Sequence, residues 1–248
     1  TGGGNSIEGD SHVTLTSGDK VEDSTEDFAV ESTGGNLTIA GAGLAADTAS
    51  TVRFDFTADN TLNINGEIDP PAQVYLEARI ADVNINAAVM AIDTINALAG
   101  QDINVNAPVS TSAATGWINL EADRDVDLAL GGDVTSAGNL TVVADRDVDI
   151  ASQLDGNLVA IIADYDDGTT KVATDEDGDV TQTDGSLISG TAVGIRGWDV
   201  TLTDVSADGV FDIGTAMGLG GPQNAGIVIV SGHDLALNGT VSSTADGG

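Results

Sequence analysis

The sequence contains no cysteine and very few basic or aromatic residues. Of its 248 residues, none is Cys, seven are Lys or Arg, four are Phe, two are Tyr and two are Trp. The absence of Cys excludes disulfides and thiolate metal sites. The scarcity of cations leaves no basic patch that could hold a phosphate backbone or an anionic lipid headgroup. Binding to nucleic acid or to a membrane surface is therefore not expected.

Long apolar runs are also missing. The sequence has no run of about 18 apolar residues, which is the length that a membrane-spanning helix needs. The first residues, Thr1 to Gly4, lack the positive and apolar regions of a secretory signal peptide. We therefore expect a mature protein, or a piece of a longer one, that does not insert into a membrane.

Acidic residues dominate the charge of the chain. Forty Asp and Glu give a formal net charge of −33, yet 41% of the residues are hydrophobic, which is too many for a disordered acidic tail. The chain must bury a core, and this core must consist of Val, Ile, Leu and Ala because large rings are rare. The net charge predicts a salty or calcium-containing environment, since cations are needed to screen it.

One motif recurs about every 20 residues. Its clearest copies, Glu121–Leu128 and Val143–Ile150, lie 22 residues apart and share Ala-Asp-Arg-Asp-Val-Asp. Each unit has two apolar pairs separated by a corner with a small residue and an Asp, and most units have a third, weaker apolar position. The first pair opens ten units, at Val13, Leu37, Phe54, Val74, Ile95, Ile118, Leu140, Val159, Val193 and Ile227.

This repeat predicts an all-β fold. Period-two alternation puts the apolar side chains of three short strands on one face, which closes as a triangular tube. Each strand then pairs in parallel with its equivalent one turn later, about 4.8 Å along the axis. We expect a parallel β-helix (β-solenoid) of ten turns in a single domain over residues 1–248. Two longer units carry insertions, a predicted hairpin at 164–177 and a predicted loop at 207–223, and insertions of this kind often lie on a binding face.

Stacked units would align corner Asp residues in one column. Each Asp would either accept a hydrogen bond from the backbone of its own corner or contribute to a column that collects Ca²⁺, because carboxylates about 4.8 Å apart repel each other. Asp125 and Asp147 are the candidate calcium ligands of this column, and Arg124 and Arg146 neutralise only its middle turns. The column comprises Asp82, Asp102, Asp125, Asp147, Asp179, Asp199 and Asp234.

Outward-facing Asn residues predict two further ladders along the axis. Stacked amides hydrogen-bond to each other in cross-β structures, so these ladders are interpreted as stabilising rather than as a ligand site. The ladders comprise Asn63, Asn84 and Asn104, and Asn65, Asn86 and Asn106.

Two acidic turns in and beside the first insertion resemble halves of calcium-binding loops. Hard cations prefer several carboxylates on a chain bent by glycine. The fit to a full twelve-residue loop is incomplete. When Asp175 is counted as position one, position six is Val180 instead of Gly and position twelve is Ser186 instead of Glu, so a solvated acidic turn is the alternative. The candidate ligands are Asp164, Asp166, Asp167, Asp175, Asp177 and Asp179.

Carbohydrate chemistry is the second functional hypothesis. A glycoside hydrolase needs two carboxylates about 5 to 10 Å apart that face one cleft, but an Asp ladder offers such pairs everywhere. The basic side chains that would hold a uronate polymer are scarce, so we expect no enzyme and assign no catalytic residue. Trp198 is the candidate carbohydrate contact, either stacking on a sugar or partly buried in a packing role. His233 is interpreted as a surface corner residue.

Three segments resemble a known repeat style. Ala99–Asn106, Gly138–Val142 and Ser231–Val241 are similar to the repeats of filamentous-haemagglutinin-type (two-partner secretion-like) exoproteins. The resemblance implies a right-handed parallel β-helix in the shaft of a secreted surface adhesin or fibre. This chain lacks the Asn-Pro-Asn motifs of the family's secretion module, and its acidity favours a salt-adapted microbe over a haemagglutinin.

These observations predict an extracellular, cell-surface structural module. Its coils would stack end to end into a rod or filament stabilised by salt or Ca²⁺, as in a biofilm fibre, with neighbouring repeats, other copies of the chain and surface glycans as partners. A carbohydrate-binding or polysaccharide-cleaving β-helix protein, with both insertions forming a cleft, is the alternative.

Overall fold

The computed structural model describes residues 5–9, 12–17, 21–23, 27–46, 52–163, 178–212, 217 and 224–244. Over these residues the chain forms thirty short β-strands, and no helix in them is long and apolar enough to cross a membrane. The strands pair in parallel, each with its equivalent one turn earlier and one turn later, except for one small antiparallel pair. The predicted parallel β-solenoid is therefore confirmed.

Each turn of the coil has three faces, which we number in chain order. The first face contains β1 (Asn5–Gly9), β4 (Phe28–Ser32), β7 (Arg53–Ala58), β10 (Gln73–Ala78), β13 (Thr94–Ala99), β16 (Trp117–Ala122), β19 (Asn139–Ala144) and β28 (Ile227–Ser231). The second face contains β2 (Val13–Ser17), β5 (Leu37–Gly41), β8 (Leu62–Ile64), β11 (Val83–Ile85), β14 (Ile103–Val105), β17 (Val126–Leu128), β20 (Val148–Ile150), β22 (Val180–Gln182), β24 (Val200–Leu202) and β29 (Leu235–Leu237).

The third face contains β3 (Val21–Asp23), β6 (Leu44–Ala46), β9 (Ile68–Asp69), β12 (Val89–Ala91), β15 (Val109–Thr111), β18 (Val134–Ser136), β25 (Asp204–Ala207) and β30 (Val241–Ser243). Two long strands, β21 (Gln153–Ile162) and β23 (Leu187–Gly197), pass from the third face into the first face of the next turn without a break. We call the bends after the first, second and third faces the first, second and third corners.

The core lies inside the tube and is aliphatic, as predicted. Inward residues alternate with outward ones, and equivalent inward residues stack turn on turn: Val83 pairs in register with Ile103, and Ile103 with Val126. All three are at most 1% exposed. Burying each such side chain contributes about 1.5 to 3 kcal/mol. Near the amino-terminal turns the core also contains an edge-to-face cluster of Phe28, Phe54 and Phe56, whose ring centroids lie 6.0 to 6.3 Å apart.

The coil has about seven turns instead of the predicted ten. The second face does contain ten paired strands. The outermost turns, however, are only partly enclosed, because each has a neighbouring turn on one side only. Val13 and Leu15 of the first described turn are half-buried, and Leu235 and Leu237 of the last are exposed. Apolar spacing alone counts such turns as complete although their core positions are not covered.

The two insertions leave the coil at opposite edges of the first face. The predicted hairpin at 164–177 lies outside the described residues, and the chain re-enters the coil at Gly178, in the first corner. The segment at 207–223 is not simply a loop. Its base is an antiparallel hairpin of β26 (Phe211–Asp212) and β27 (Asn224–Ala225), which leaves the coil at the third corner.

Candidate functional site

The Asp residues of the first corner form the predicted column, but their hydrogen-bond partners differ from the expected ones. We expected each carboxylate to accept from its own corner. Instead, Oδ1 of each Asp accepts the backbone N–H of the Asp one turn later. The donor and acceptor pairs are Asp102 to Asp82 (3.2 Å), Asp125 to Asp102 (3.3 Å), Asp147 to Asp125 (3.2 Å), Asp179 to Asp147 (3.0 Å), Asp199 to Asp179 (3.2 Å) and Asp234 to Asp199 (2.8 Å).

The same relationship continues toward the amino terminus with other side chains. The backbone N–H of Asn36 donates to Nδ1 of His12 at 2.9 Å, and that of Thr61 donates to Oδ1 of Asn36 at 3.3 Å. Because each acceptor lies one turn before its donor, the column has a direction along the rod. Asp is well suited to these positions since its short carboxylate reaches the next turn and accepts a strong, charge-assisted hydrogen bond.

Two arginines clamp the middle of the column, as the sequence predicts. Arg124 donates through Nε to Oδ1 of Asp102 at 2.6 Å, and also through its Nη2 to the second carboxylate oxygen. Arg146 makes the equivalent pair of contacts with Asp125 one turn later. In both cases the Arg follows its Asp partner by one turn, so each clamp joins two turns. The clamps raise the pKa of both guanidinium groups, chiefly through these hydrogen bonds.

The candidate calcium ligands of the column are engaged by the protein itself. The carboxylate of Asp125 contacts Arg146 and accepts the N–H of Asp147. Asp147 accepts the N–H of Asp179, and its Oδ2 lies 3.3 Å from Nε of Arg146. Asp179 in turn accepts the N–H of Asp199. The other candidates, Asp164, Asp166, Asp167, Asp175 and Asp177, lie outside the described residues. Calcium binding therefore stays a prediction.

The carboxyl-terminal end of the column brings together an imidazole and two carboxylates. Nδ1 of His233 lies 2.9 Å from Oδ1 of Asp199 and 3.6 Å from Oδ2 of Asp234. The N–H of Asp234 and the imidazole both donate to Asp199, and these bonds lower the pKa of its carboxyl group. The ligand atoms of the three residues lie within 4.8 Å of one another. Imidazole with carboxylate suits Zn²⁺ better than Ca²⁺, but the cluster is exposed and hydrogen-bonded to itself.

Trp198, the candidate carbohydrate contact, lies beside this cluster and is half-buried. Its ring stacks on that of His233 with an interplanar angle of 4° and a centroid distance of 5.6 Å. A Cβ atom on Gly232 would lie 2.8 Å from the Trp198 ring, so glycine allows this close packing. The structure thus gives Trp198 an inter-turn packing role, and sugar stacking stays a prediction. His233 is confirmed as an exposed corner residue.

The Asn ladders on and beside the second face are confirmed. Nδ2 of Asn84 donates to Asn63 at 3.0 Å, and Nδ2 of Asn104 donates to Asn84 at 2.9 Å. Asn86 and Asn106 bond in the same way one position past the strand. A third Asn pair on the first face, in which Asn119 donates to Asn96 at 3.0 Å, was not predicted.

The ladder of the second face continues into carboxylates. Asn104 pairs in register with Asp127, and Asp127 with Asp149. Desolvation raises the pKa of Asp149, and the neighbouring carboxylates, that of Asp127 first, raise it further. This is the place in the described part of the coil where charge crowding shifts a carboxyl pKa upward, and added cations would relieve it.

An apolar patch on the outside of the first face was missed by the sequence analysis. Met217, on the second insertion, is fully buried against it. The insertion therefore contacts the wall of the rod at Met217. A signal was present in the sequence, because residues 158–163 form an unbroken apolar run where other units alternate. The buried residues of the patch are Val143, Leu158, Ala160, Ile162 and Ala192.

The last described turn leaves core positions uncovered. Leu235 and Leu237 of β29 are 48% and 49% exposed, whereas Val200 and Leu202, the equivalent residues one turn earlier, are 1% and 0% exposed. In the first described turn, Val13 and Leu15 are half-buried. Apolar strand edges therefore lie at both ends of the described coil.

Comparisons with protein-family models, with curated proteins and with solved structures gave no match.

Proposed function

We propose that the chain is a structural module of an extracellular surface adhesin or fibre, whose coils stack end to end into a rigid rod. The observation that carries the proposal is the half-exposed pair Leu235 and Leu237, which point along the same inward column as the fully buried Val200 and Leu202. Half-exposed core residues on an open strand edge favour a further turn of coil on top of them. That turn belongs to another copy of the chain or to neighbouring repeats.

The two ends present strands of the same three faces. The last turn offers β28, β29 and β30, and the first offers β1, β2 and β3 in the same order around the tube. The Asp column supports the same direction of stacking, since Asp234 would accept an N–H from the next turn as the other corner Asp residues do. A contact between unlike ends does not close on itself and therefore generates filaments.

The extracellular setting and the cations are part of the proposal. The repeats resemble those of filamentous-haemagglutinin-type exoproteins, and the net charge of −33 suits a medium rich in salt or Ca²⁺. Crowding of Asp127 and Asp149 on one face supports a stabilising role for such cations. The proposal assigns no reaction to the chain.

Because the chain has no Cys, engineered thiols test this stacking directly. In the proposed contact, β29 of one copy pairs with β2 of the next, which places outward Ala236 beside outward Thr14. Their Cα atoms would lie about 4.8 Å apart, within the range of a disulfide. Mild oxidation of a Thr14→Cys/Ala236→Cys variant should produce a ladder of covalent oligomers.

The matched control pairs Ala236→Cys with Asn84→Cys, which lies outward in the middle of the rod on β11. This variant should give no oligomers longer than dimers. Equal ladders from both variants would show random collision, and no ladder from the first would refute end-to-end stacking.

A further inference from the structure

A polar groove runs along the third corner over four successive turns. It forms where β21 and β23 pass through the corner without a break, so that the surface there is concave. The groove has a volume of about 370 Å³ and opens to solvent. Three steps between turns, at about 4.8 Å each, give it a length of roughly 14 Å along the rod axis.

Polar side chains line the groove at each of its four levels, beginning with the hydroxyl of Ser136. Asp155 and Asn157 are exposed on one turn, and the half-buried residues Ser189 and Thr191 follow on the next turn. The turn after that contributes half-buried Ser206 and exposed Asp208. Oγ of Ser189 donates to Oδ1 of Asp155 at 2.7 Å, which orients that carboxylate at the groove surface. Each turn thus contributes at least one polar side chain to the groove.

The rim of the groove coincides with the base of the second insertion. Asp208, a lining residue, lies three positions before the hairpin of β26 and β27. The insertion is in turn held on the first face by Met217, which is fully buried. The groove therefore lies beside an anchored extra element that the regular turns of the coil do not have.

The side chains that line the groove restrict the class of ligand that it can bind. Among the described residues that line the groove there is no Lys, Arg or His and no aromatic ring, while Asp155 and Asp208 are both acidic. An anionic polymer such as a polyuronate or a nucleic acid would be repelled without any compensating cation. An apolar ligand would remove water from the two carboxylates and offer them no hydrogen bond in exchange.

We propose that this groove binds a segment of a neutral polysaccharide, with the carboxylates of Asp155 and Asp208 accepting hydrogen bonds from sugar hydroxyls. An extended glycan repeats its hydroxyl groups along its length, as the groove repeats its polar groups from turn to turn. Hydrogen bonds from a neutral donor to a carboxylate are stronger than those between neutral groups, so two acidic residues give such a shallow site its main anchors. The inference deepens the proposed adhesin function by naming a ligand class, but it does not depend on end-to-end stacking.

The test is affinity electrophoresis of the intact chain in gels that contain one polymer each. Neutral dextran, mannan, xylan, galactan and mixed-linkage β-glucan are compared with anionic alginate, polygalacturonate and hyaluronan. We expect retardation by at least one neutral polymer and by none of the anionic ones. Asp155→Asn/Asp208→Asn should weaken that interaction at least about tenfold, because two charge-assisted hydrogen bonds are lost.

Two further variants separate the groove from general effects. Ser206→Arg places a long side chain in the groove without changing the core and should also abolish retardation. Asp127→Asn/Asp149→Asn removes the same number of charges from the second face and should leave retardation unchanged. Circular dichroism of each variant confirms that the coil is retained.

Three results would overturn the proposal. The first is that no neutral polymer retards the chain. The second is that Asp127→Asn/Asp149→Asn alters retardation while Asp155→Asn/Asp208→Asn does not. The third is that no neutral polymer binds but calorimetry with CaCl₂ alone detects calcium binding, which Asp155→Asn/Asp208→Asn abolishes. The last result would make the groove a cation site. Disulfide cross-linking of Thr14→Cys/Ala236→Cys measures end-to-end stacking separately. A failure of stacking is therefore distinguished from a failure of glycan binding.

Discussion

Oδ1 of Asp199 accepts the backbone N–H of Asp234, one turn later, at 2.8 Å. The same bond joins the other Asp residues of the first corner, so a side chain bridges successive turns where the strand ladders bend. It also gives the rod a direction, because every carboxylate accepts from the turn that follows it. The column is thus part of the scaffold, whether or not cations also bind there.

Asp102 tests the contribution of this column to stability. Its carboxylate accepts the N–H of Asp125 and both contacts of Arg124. Asp102→Ala should lower the free energy of unfolding by about 1 to 2 kcal/mol, because the N–H of Asp125 loses its acceptor and the guanidinium keeps only its 3.6 Å contact with Asp125. Asp102→Asn keeps an acceptor oxygen and should lose less, about 0.5 to 1 kcal/mol. Urea unfolding followed by circular dichroism measures both values.

Asp123, an exposed residue of the same corner, supplies the matched control for Asp102. Asp123→Ala removes the same charge and should change stability by less than about 0.5 kcal/mol. If Asp102→Ala behaved like Asp123→Ala, the inter-turn hydrogen bond would have no role in stability.

Charge crowding on the second face should oppose folding. Asp127 and Asp149 pair in register, and like charges that lie opposite each other destabilise a sheet. Asp127→Asn/Asp149→Asn should therefore raise the free energy of unfolding by about 0.5 to 1 kcal/mol at low salt and neutral pH. The gain should shrink in 1 M NaCl, since salt screens the repulsion. An equal gain at both salt concentrations would contradict an electrostatic cause.

The raised pKa of Asp149 predicts the direction of its pH dependence. The folded state binds the proton more tightly than the unfolded state, so ionised Asp149 destabilises the fold at any pH above its folded pKa. This penalty should fall as pH decreases through the folded pKa, and it should vanish below the unfolded value of 3.8. Urea titrations of the wild type and of Asp149→Asn between pH 7 and pH 4 should thus converge toward the acidic end. Divergence there would show the opposite sign.

Met217 is expected to hold the second insertion on the first face. Met217→Asp places a charge in the apolar patch and should release the insertion, because a buried unpaired carboxylate is strongly unfavourable. Limited proteolysis should then cut between residues 212 and 224 at least about ten times faster, while the urea midpoint of the coil changes little. Met217→Leu, which conserves the apolar contact, should resist cleavage like the wild type. Equal cleavage of all three proteins would contradict the anchor.

Substitutions at Gly138 and Gly131 compare the stability cost of steric crowding with the cost of backbone strain. A Cβ atom on Gly138 would lie 1.9 Å from the carbonyl oxygen of Gly116 in the preceding turn. Gly131 has a φ of +93°, but a Cβ atom added to it would meet nothing within 4 Å. Gly138→Ala should cost about 2 to 4 kcal/mol by forcing two turns apart, whereas Gly131→Ala should cost about 1 kcal/mol through strain alone. Thermal unfolding ranks the two variants, and the reverse order would be inconsistent with this packing.

The sequence predicts most of the strands and faces because their signal is local. The prediction is wrong for Val13 and Leu37, which the repeat places in the first apolar pair but which lie on the second face, where Leu37 pairs with Leu62. Period-two alternation places Val83, Ile103 and Val126 inward, and the structure stacks them in register. The Asn ladders follow from the same spacing. The hydrogen-bond partner of each corner Asp was not predictable in this way. An Asp at this position can accept a backbone N–H from its own corner or from the next turn, and the sequence is the same in both cases.

The features that the sequence did not reveal depend on contacts between distant turns. The polar groove gathers residues from 136 to 208, and each of them is an ordinary polar or small residue in its own unit. Its shape comes from the unbroken passage of β21 and β23 through the third corner, which apolar spacing does not show. The anchoring of Met217 could have been suspected from the apolar run at 158–163, because outward positions of other units are mostly polar.

Negative-stain microscopy of the purified chain tests end-to-end stacking most directly. Samples with millimolar Ca²⁺, with chelator and with molar NaCl are compared for the wild type and for Leu235→Lys/Leu237→Lys, which charges the exposed core positions of the last turn. With Ca²⁺ or high salt, the wild type should form unbranched rods many times longer than one module of about 4 nm, and the variant should stay as single rods. Single short rods of the wild type under every condition, or equally long rods of the variant, would contradict the account.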